Sequence, residues 1–227
     1  MVSSQIEVKY LGGYGSDLTV VNAARVSFNK ESHWEHDPGI NEYYLGHKDK
    51  RLIQYLARHK HISPFHHTFL SFRIKAPIFV SRQLVKHEYM PINEVSRRYV
   101  DTVPEMYIPN TFRKRPEDKK QGSSGDMPGI KTKEWKGHLR DHFYNSVEMY
   151  LNALDEGMCP EQARMFLPLN AMTEWIWSGT LSAFAKMLAL RLPEDAQEET
   201  REVARYIKEE IEKIFPVSLP ALLENYD

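Results

Sequence analysis

Residues 67–75, HTFLSFRIK, alternate strictly, with Leu70, Phe72 and Ile74 on one side and Ser71, Arg73 and Lys75 on the other. Successive side chains of a strand point to opposite faces, so this segment reads as a strand with one face in a core and one in water. Pro77 follows almost at once and suits the first turn of a helix, which predicts a helix over 77–87, PIFVSRQLVKH. On that helix Arg82 would stack over Lys86 and Gln83 over His87 at i, i+4 spacing. A strand running straight into a helix sharply limits the folds this chain can adopt.

Elsewhere the apolar residues recur at helical spacing. Asp17 is placed to cap a helix through LTVVNAARVSF, and Asp49 to cap one through KRLIQYLARHK, where Leu52, Ile53 and Leu56 share a face. Trp135, Leu139, Phe143, Val147, Tyr150, Leu151 and Leu154 predict a long amphipathic helix ending near Gly157. Pro160 and Pro193 mark further starts, and Val203, Ile207, Ile211 and Ile214 form a stripe behind the second. So many helical stripes beside little strand pattern predict an α+β class: a mainly helical single domain, 1–227, around a small antiparallel or mixed sheet. A chain of 227 residues is long enough to bury one substantial core. Residues 113–129, RKRPEDKKQGSSGDMPG, are charged, rich in Gly and Ser and without apolar period, and read as a mobile loop between two halves.

Charge and cysteine content narrow the function classes. With 30 basic and 31 acidic side chains, the net charge of -1 gives no global attraction to nucleic acid or to an acidic membrane. Any anion must be held by a local cluster. The single cysteine, Cys159, makes no internal disulfide, the opening MVSSQIEVKY lacks the apolar stretch of a signal peptide, and charges interrupt every apolar run short of the roughly 20 residues a bilayer needs. A soluble cytoplasmic protein without nucleic-acid or membrane partners is expected.

The functional groups concentrate in HKHISPFHH and RQLVKHEYMPINEVSRRY. His59, His61, His66 and His67 lack the cysteine pair or HExxH spacing of a metal site, and strand alternation sends His66 and His67 to opposite faces, so no metal is expected. His61 is the better functional candidate. In NEVSRRY a carboxylate, a hydroxyl and two guanidinium groups fall within a short span that suits a phosphorylated, hydrogen-bonding ligand; a surface ion-pair cluster is the plainer alternative. Arg164 and Arg191 stand in apolar surroundings, so each either pairs with a carboxylate of the fold or faces an anionic ligand.

With these residues the chain resembles the flavin-dependent thymidylate synthases, whose signature is Arg-His-Arg, seven residues, then Ser, commonly followed by Arg-Tyr. Here it reads Lys86-His87-Glu88, YMPINEV, Ser96, then Arg98-Tyr99. AARVSF at 23–28, HISPFHH at 61–67, KAPIFVSRQ at 75–83, ARMFLPLN at 163–170 and LALR at 188–191 follow in family order, so the resemblance spans most of the chain. It implies the thymidylate synthase-complementing fold and a homotetramer with flavin sites between subunits. It implies FAD as cofactor, NADPH and methylenetetrahydrofolate as co-substrates, and conversion of dUMP to dTMP. Matched by position, it places Gln83, Lys86, Glu94, Val95, Ser96, Arg97, Arg98, Arg164 and Arg191 at dUMP, and His61, Ser63, Lys86, His87, Glu88 and Glu94 at the flavin. Arg191 and Ser96 are the implied catalytic residues, the first stabilising a developing pyrimidine anion and the second hydrogen-bonding the nucleotide.

Two signature positions depart from the family. Lys86 keeps the charge but loses the planar fork, and Glu88 reverses the sign. Lys186 is expected to restore positive charge at the flavin site, which requires it to lie within about a Debye length, roughly 10 Å, of Glu88 or the cofactor. Three rival readings stand beside the resemblance: a Cys159 thiolate mechanism, with Cys159 otherwise a small residue at a helix start; a nucleotide- or RNA-binding module using RKRPEDKK and SRRY; and a degenerate relative that binds FAD and dUMP without efficient turnover.

Overall fold

A computed structural model of the chain describes residues 3–117 and 122–226. In chain order its first half carries β1 (Ser3–Ser4), β2 (Glu7–Tyr14), α1 (Asp17–Arg25), β3 (Glu35–Asp37), β4 (Glu42–Tyr44), α2 (His47–Arg58), β5 (Phe69–Pro77), α3 (Ile78–Leu84) and β6 (Ile92–Glu94). The second half carries β7 (Met106–Tyr107), β8 (Arg113–Lys114), β9 (Ser124–Asp126), α4 (Gly129–Asp155), α5 (Pro160–Ala163), β10 (Met172–Gly179), α6 (Leu181–Arg191), α7 (Glu198–Ile214) and α8 (Ser218–Glu224).

The expected α+β class holds. The main sheet is antiparallel, with strand order β2-β5-β10-β6, and β1 and β7 form a separate parallel pair. β5 keeps its alternation: Leu70, Phe72, Ile74 and Ala76 are buried, while Ser71, Arg73 and Lys75 lie on the other face. There Arg73 pairs with Glu174 and Lys75 with Glu105. Against the apolar face pack α6, through Leu181, Phe184 and Leu188, and α7, through Val203, Ile207 and Ile211. Phe184 meets Phe72 edge-on at 5.1 Å and Trp177 at 5.6 Å. Burying each such side chain stabilises the fold by about 1.5–3 kcal/mol before entropy is counted, which makes this layer the centre of the core.

Several element ends differ from the expectation. Ser16, not Asp17, is the N-cap of α1, and α2 begins at His47 with Asp49 inside its first turn. Both aspartates serve distant partners. Asp49 pairs with Arg25 of α1, and Asp17 accepts the backbone N–H groups of Val217 and Ser218, each at 2.9 Å, at the start of α8. Pro77 closes β5 and caps α3, which stops at Leu84 rather than His87. Pro91 disfavours helical backbone at Met90, and Tyr89 turns the chain through the left-handed region at φ 59°. α4 starts six residues before Trp135 and ends as expected, with Gly157 at φ 89° just past its C-cap. α7 starts at Glu198, five residues beyond Pro193. Of the segment expected as a mobile loop, 118–121 lie outside the described residues, and its flanks pair as the β8–β9 ribbon.

Candidate active site

The turn after α3 brings His87 to the C-terminal end of α6. Arg191, the last residue of α6, donates from Nε to His87 Nε2 at 3.1 Å and from Nη2 to the Gln83 carbonyl oxygen at 3.3 Å. Three residues separated by up to 108 positions thus meet. No ion pair joins Arg191 to a carboxylate among the described residues. It is held by neutral acceptors, and its Nη1 has no protein partner there.

His87 stacks obliquely on Trp177 of β10, with centroids 6.2 Å apart. Burial, then the neighbouring Arg191 and Lys186 charges, lower its pKa from the ordinary 6.5 to about 4. At neutral pH the imidazole is uncharged, and because Nε2 accepts, the proton sits on Nδ1. Lys186 Nζ lies 3.9 Å from Glu88 Oε2, so the expected proximity of these two residues is met. Both side chains are more than half exposed, and the pair is weak.

Beyond Gln83 and Arg191 opens a cavity of about 490 Å³, lined also by Arg113, Gly122, Ser123, Asp195 and Gln197. Its wall is fastened by groups that local sequence patterns did not single out. The Gln83 side-chain amide bonds Gln197 and accepts from Thr200 Oγ1 at 3.3 Å. Arg113 Nη2 reaches both oxygens of the buried Glu199, at 3.0 and 2.8 Å, and so ties the β8–β9 ribbon to α7. Gly122 lies against Asp195, where a Cβ would stand 3.3 Å from the backbone oxygen.

The NEVSRRY segment is divided by its geometry. Glu94 sits in β6 and accepts from Thr173 Oγ1 at 2.7 Å, and the Val95 N–H donates to the Glu174 carbonyl at 2.9 Å. Ser96 Oγ receives the Arg98 N–H at 3.3 Å in a turn. Arg97 folds back onto the Thr102 carbonyl oxygen, half-buried, whereas Arg98 is exposed, 4.9 Å over the Tyr99 ring. Arg164 is exposed after α5, its Nε donating to the Glu161 carbonyl at 3.1 Å. No hydrogen bond or ion pair joins Arg164 or the 94–98 segment to Arg191 among the described residues. Lys86 is exposed and makes no such bond either among the described residues.

His61 and Ser63 line a second cavity of about 490 Å³ with Ser27, Phe28, Lys30 and Tyr55. Tyr55 stacks on His59 at 4.2 Å. The i, i+4 spacing of Tyr55 and His59 along α2 was the available signal for that pair, whereas Lys30 comes from a loop and offered none. Among the described residues no group of three or more His, Cys, Asp or Glu is arranged to hold a metal ion. Cys159 is exposed and caps the four-residue α5. No helix among the described residues is long and apolar enough to cross a membrane.

The decisive comparison is with a family model. The model described as thymidylate synthase complementing protein matches residues 9–217. The chain belongs to this family. The flavin-dependent thymidylate synthase of Thermus thermophilus is 37% identical over 218 residues, covering 96% of this chain and 76% of the relative. That of Thermosipho melanesiensis is 36% identical over 216 residues, covering 93% and 86%. Among solved structures, the UMP/dUMP methylase PolB of Streptomyces cacaoi bound with 5-Br dUMP superposes with a TM-score of 0.84 at 28% identity, covering 98% of this chain and 96% of that one. The likeness to other thymidylate synthase complementing proteins thus extends from signature blocks to the full fold.

Proposed function

We propose that this chain is a flavin-dependent thymidylate synthase that methylates dUMP to dTMP, with FAD as cofactor and methylenetetrahydrofolate and NADPH as co-substrates. The observation that carries the reading is Arg191: a guanidinium fixed by His87 and Gln83, uncompensated by any paired carboxylate among the described residues, at the mouth of a cavity. The named activities of the relatives, thymidylate synthesis in the bacterial enzymes and dUMP methylation in the solved structure, support the same substrate.

The residues fit the proposed ligands by their donor chemistry. In the second cavity Lys30, Ser27 and Ser63 offer charge and hydroxyl groups to a diphosphate, while Tyr55, Phe28 and His61 offer flat apolar or aromatic surface. With them Lys86, His87, Glu88 and Glu94 are the proposed flavin residues. Bound flavin supplies the hydride chemistry that no protein side chain can. Arg191 stabilises negative charge developing on the uracil ring and does not act as a base, because a guanidinium keeps its proton at workable pH. Gln83, Ser96, Arg97, Arg98 and Arg164 bind the rest of the nucleotide with the backbone at Val95, and the arginine forks suit its phosphate. A homotetramer with sites completed between subunits fits the absence, among the described residues, of any bond from Arg164 or Ser96 to Arg191; a cytoplasmic location is part of the same proposal.

Changing Arg191 to alanine tests the proposal. Flavin binding and folding should persist, while dTMP formation falls about 100-fold or more, as when one preorganised stabiliser of transition-state charge is lost. A protein that takes up no FAD, or an alanine variant with full activity, overturns it.

A further inference from the structure

The geometry points to His87 as a positioning residue: its Nε2 lone pair, together with the Gln83 carbonyl oxygen, fixes the plane of the Arg191 guanidinium so that the Nη1 edge faces the nucleotide. This rests on the proposed role of Arg191.

An arginine at a helix end has long, free torsions, and two acceptors, one in α3 and one in the turn after it, remove that freedom before a ligand arrives. Both acceptors are neutral. A carboxylate in the place of His87 would hold the guanidinium as firmly but would cancel the charge needed for an anionic ring. The imidazole can serve only while it is unprotonated, and its surroundings enforce that state. α6 turns two cations toward it, Arg191 and Lys186; β10 contributes the uncharged Trp177; and its own segment carries Lys86 and Glu88, of which Glu88 leans to Lys186. Burial and the two α6 cations depress its pKa to about 4.

The test uses the FAD-loaded full chain and compares His87→Leu, which removes the acceptor, with His87→Gln, whose Oε1 can take the place of Nε2. dUMP affinity is measured by calorimetry, flavin occupancy by absorbance, and kcat and KM separately. His87→Leu is expected to weaken dUMP binding or kcat/KM roughly 10- to 100-fold per flavin-loaded subunit, the range for a lost hydrogen bond to a charged group. His87→Gln should recover most of that loss. In the Arg191→Ala background, His87→Leu should cost little more, because both changes remove one device. On acidification toward pH 4, wild-type dUMP affinity should fall more steeply than that of His87→Gln. If His87→Leu binds and turns over dUMP like wild type, or if its effect multiplies fully with that of Arg191→Ala, the positioning role is wrong. If Arg191→Ala itself remains fully active, the reading of the site fails, whatever His87 does.

Discussion

His87 shows how a single residue couples stability to pH. Its folded pKa is depressed from 6.5 to about 4, first by burial and then by Arg191 and Lys186. The unfolded chain therefore binds the extra proton more readily, and the stability that the neutral imidazole contributes is fully present above pH 6.5 and lost as pH falls through about 4. Urea titrations of wild type and His87→Gln between these limits should show wild type losing more stability on acidification. Equal slopes would place His87 in water. Arg113 and Glu199 form a different kind of contact at the same scale. A largely buried pair fixes the cavity wall, yet only one partner belongs to a segment whose composition gave any hint of a site.

At the scale of elements, the informative cases are helix ends. Asp17 is 1% exposed and accepts two backbone N–H groups at the start of α8. Removing a buried acceptor leaves those donors unpaired, so Asp17→Ala should destabilise the protein by about 1–3 kcal/mol in chemical denaturation. An asparagine there, which keeps one side-chain acceptor oxygen, should cost less. No local pattern gives this role, because the aspartate also stands at the start of a helix, where a cap is its commonest use. α3 is the opposite case. It stops at Leu84, short of the turn at Tyr89, and His87, expected on its edge, lies beyond the helix and meets Arg191 of α6.

For the whole molecule, the surface carries apolar groups that a lone subunit does not cover. Met165 is 73% and Leu169 64% exposed at the rim of a mainly apolar cavity of about 760 Å³, and Ile130 on α4 is 81% exposed. Contiguous apolar surface of this kind marks interfaces. The proposed homotetramer predicts a light-scattering mass near four times the 26.6 kDa chain, and replacing Met165 and Leu169 by glutamate should lower it if they lie in its interfaces. A monomer at micromolar concentration would count against sites shared between subunits.

The alternation of 67–75, the stripes of α2 and α7, and Phe143, Val147 and Tyr150 on α4 follow from which side chains avoid water, and the sequence alone determined them, whereas Trp135 and Leu151, expected on the α4 stripe, are exposed. The family resemblance supplied Gln83, His87 and Ser96 as candidates, the histidine-rich segment pointed to His61, and the apolar surroundings of Arg191 demanded a partner. Which partners they take was decided only by the tertiary structure. Arg191 meets His87 across 104 positions, Gln83 meets Gln197 across 114, and Asp17 meets Ser218 across 201. Hydrogen bonds carry no sequence periodicity when their two ends sit on elements brought together by packing, here by the buried Phe72, Phe184 and Trp177.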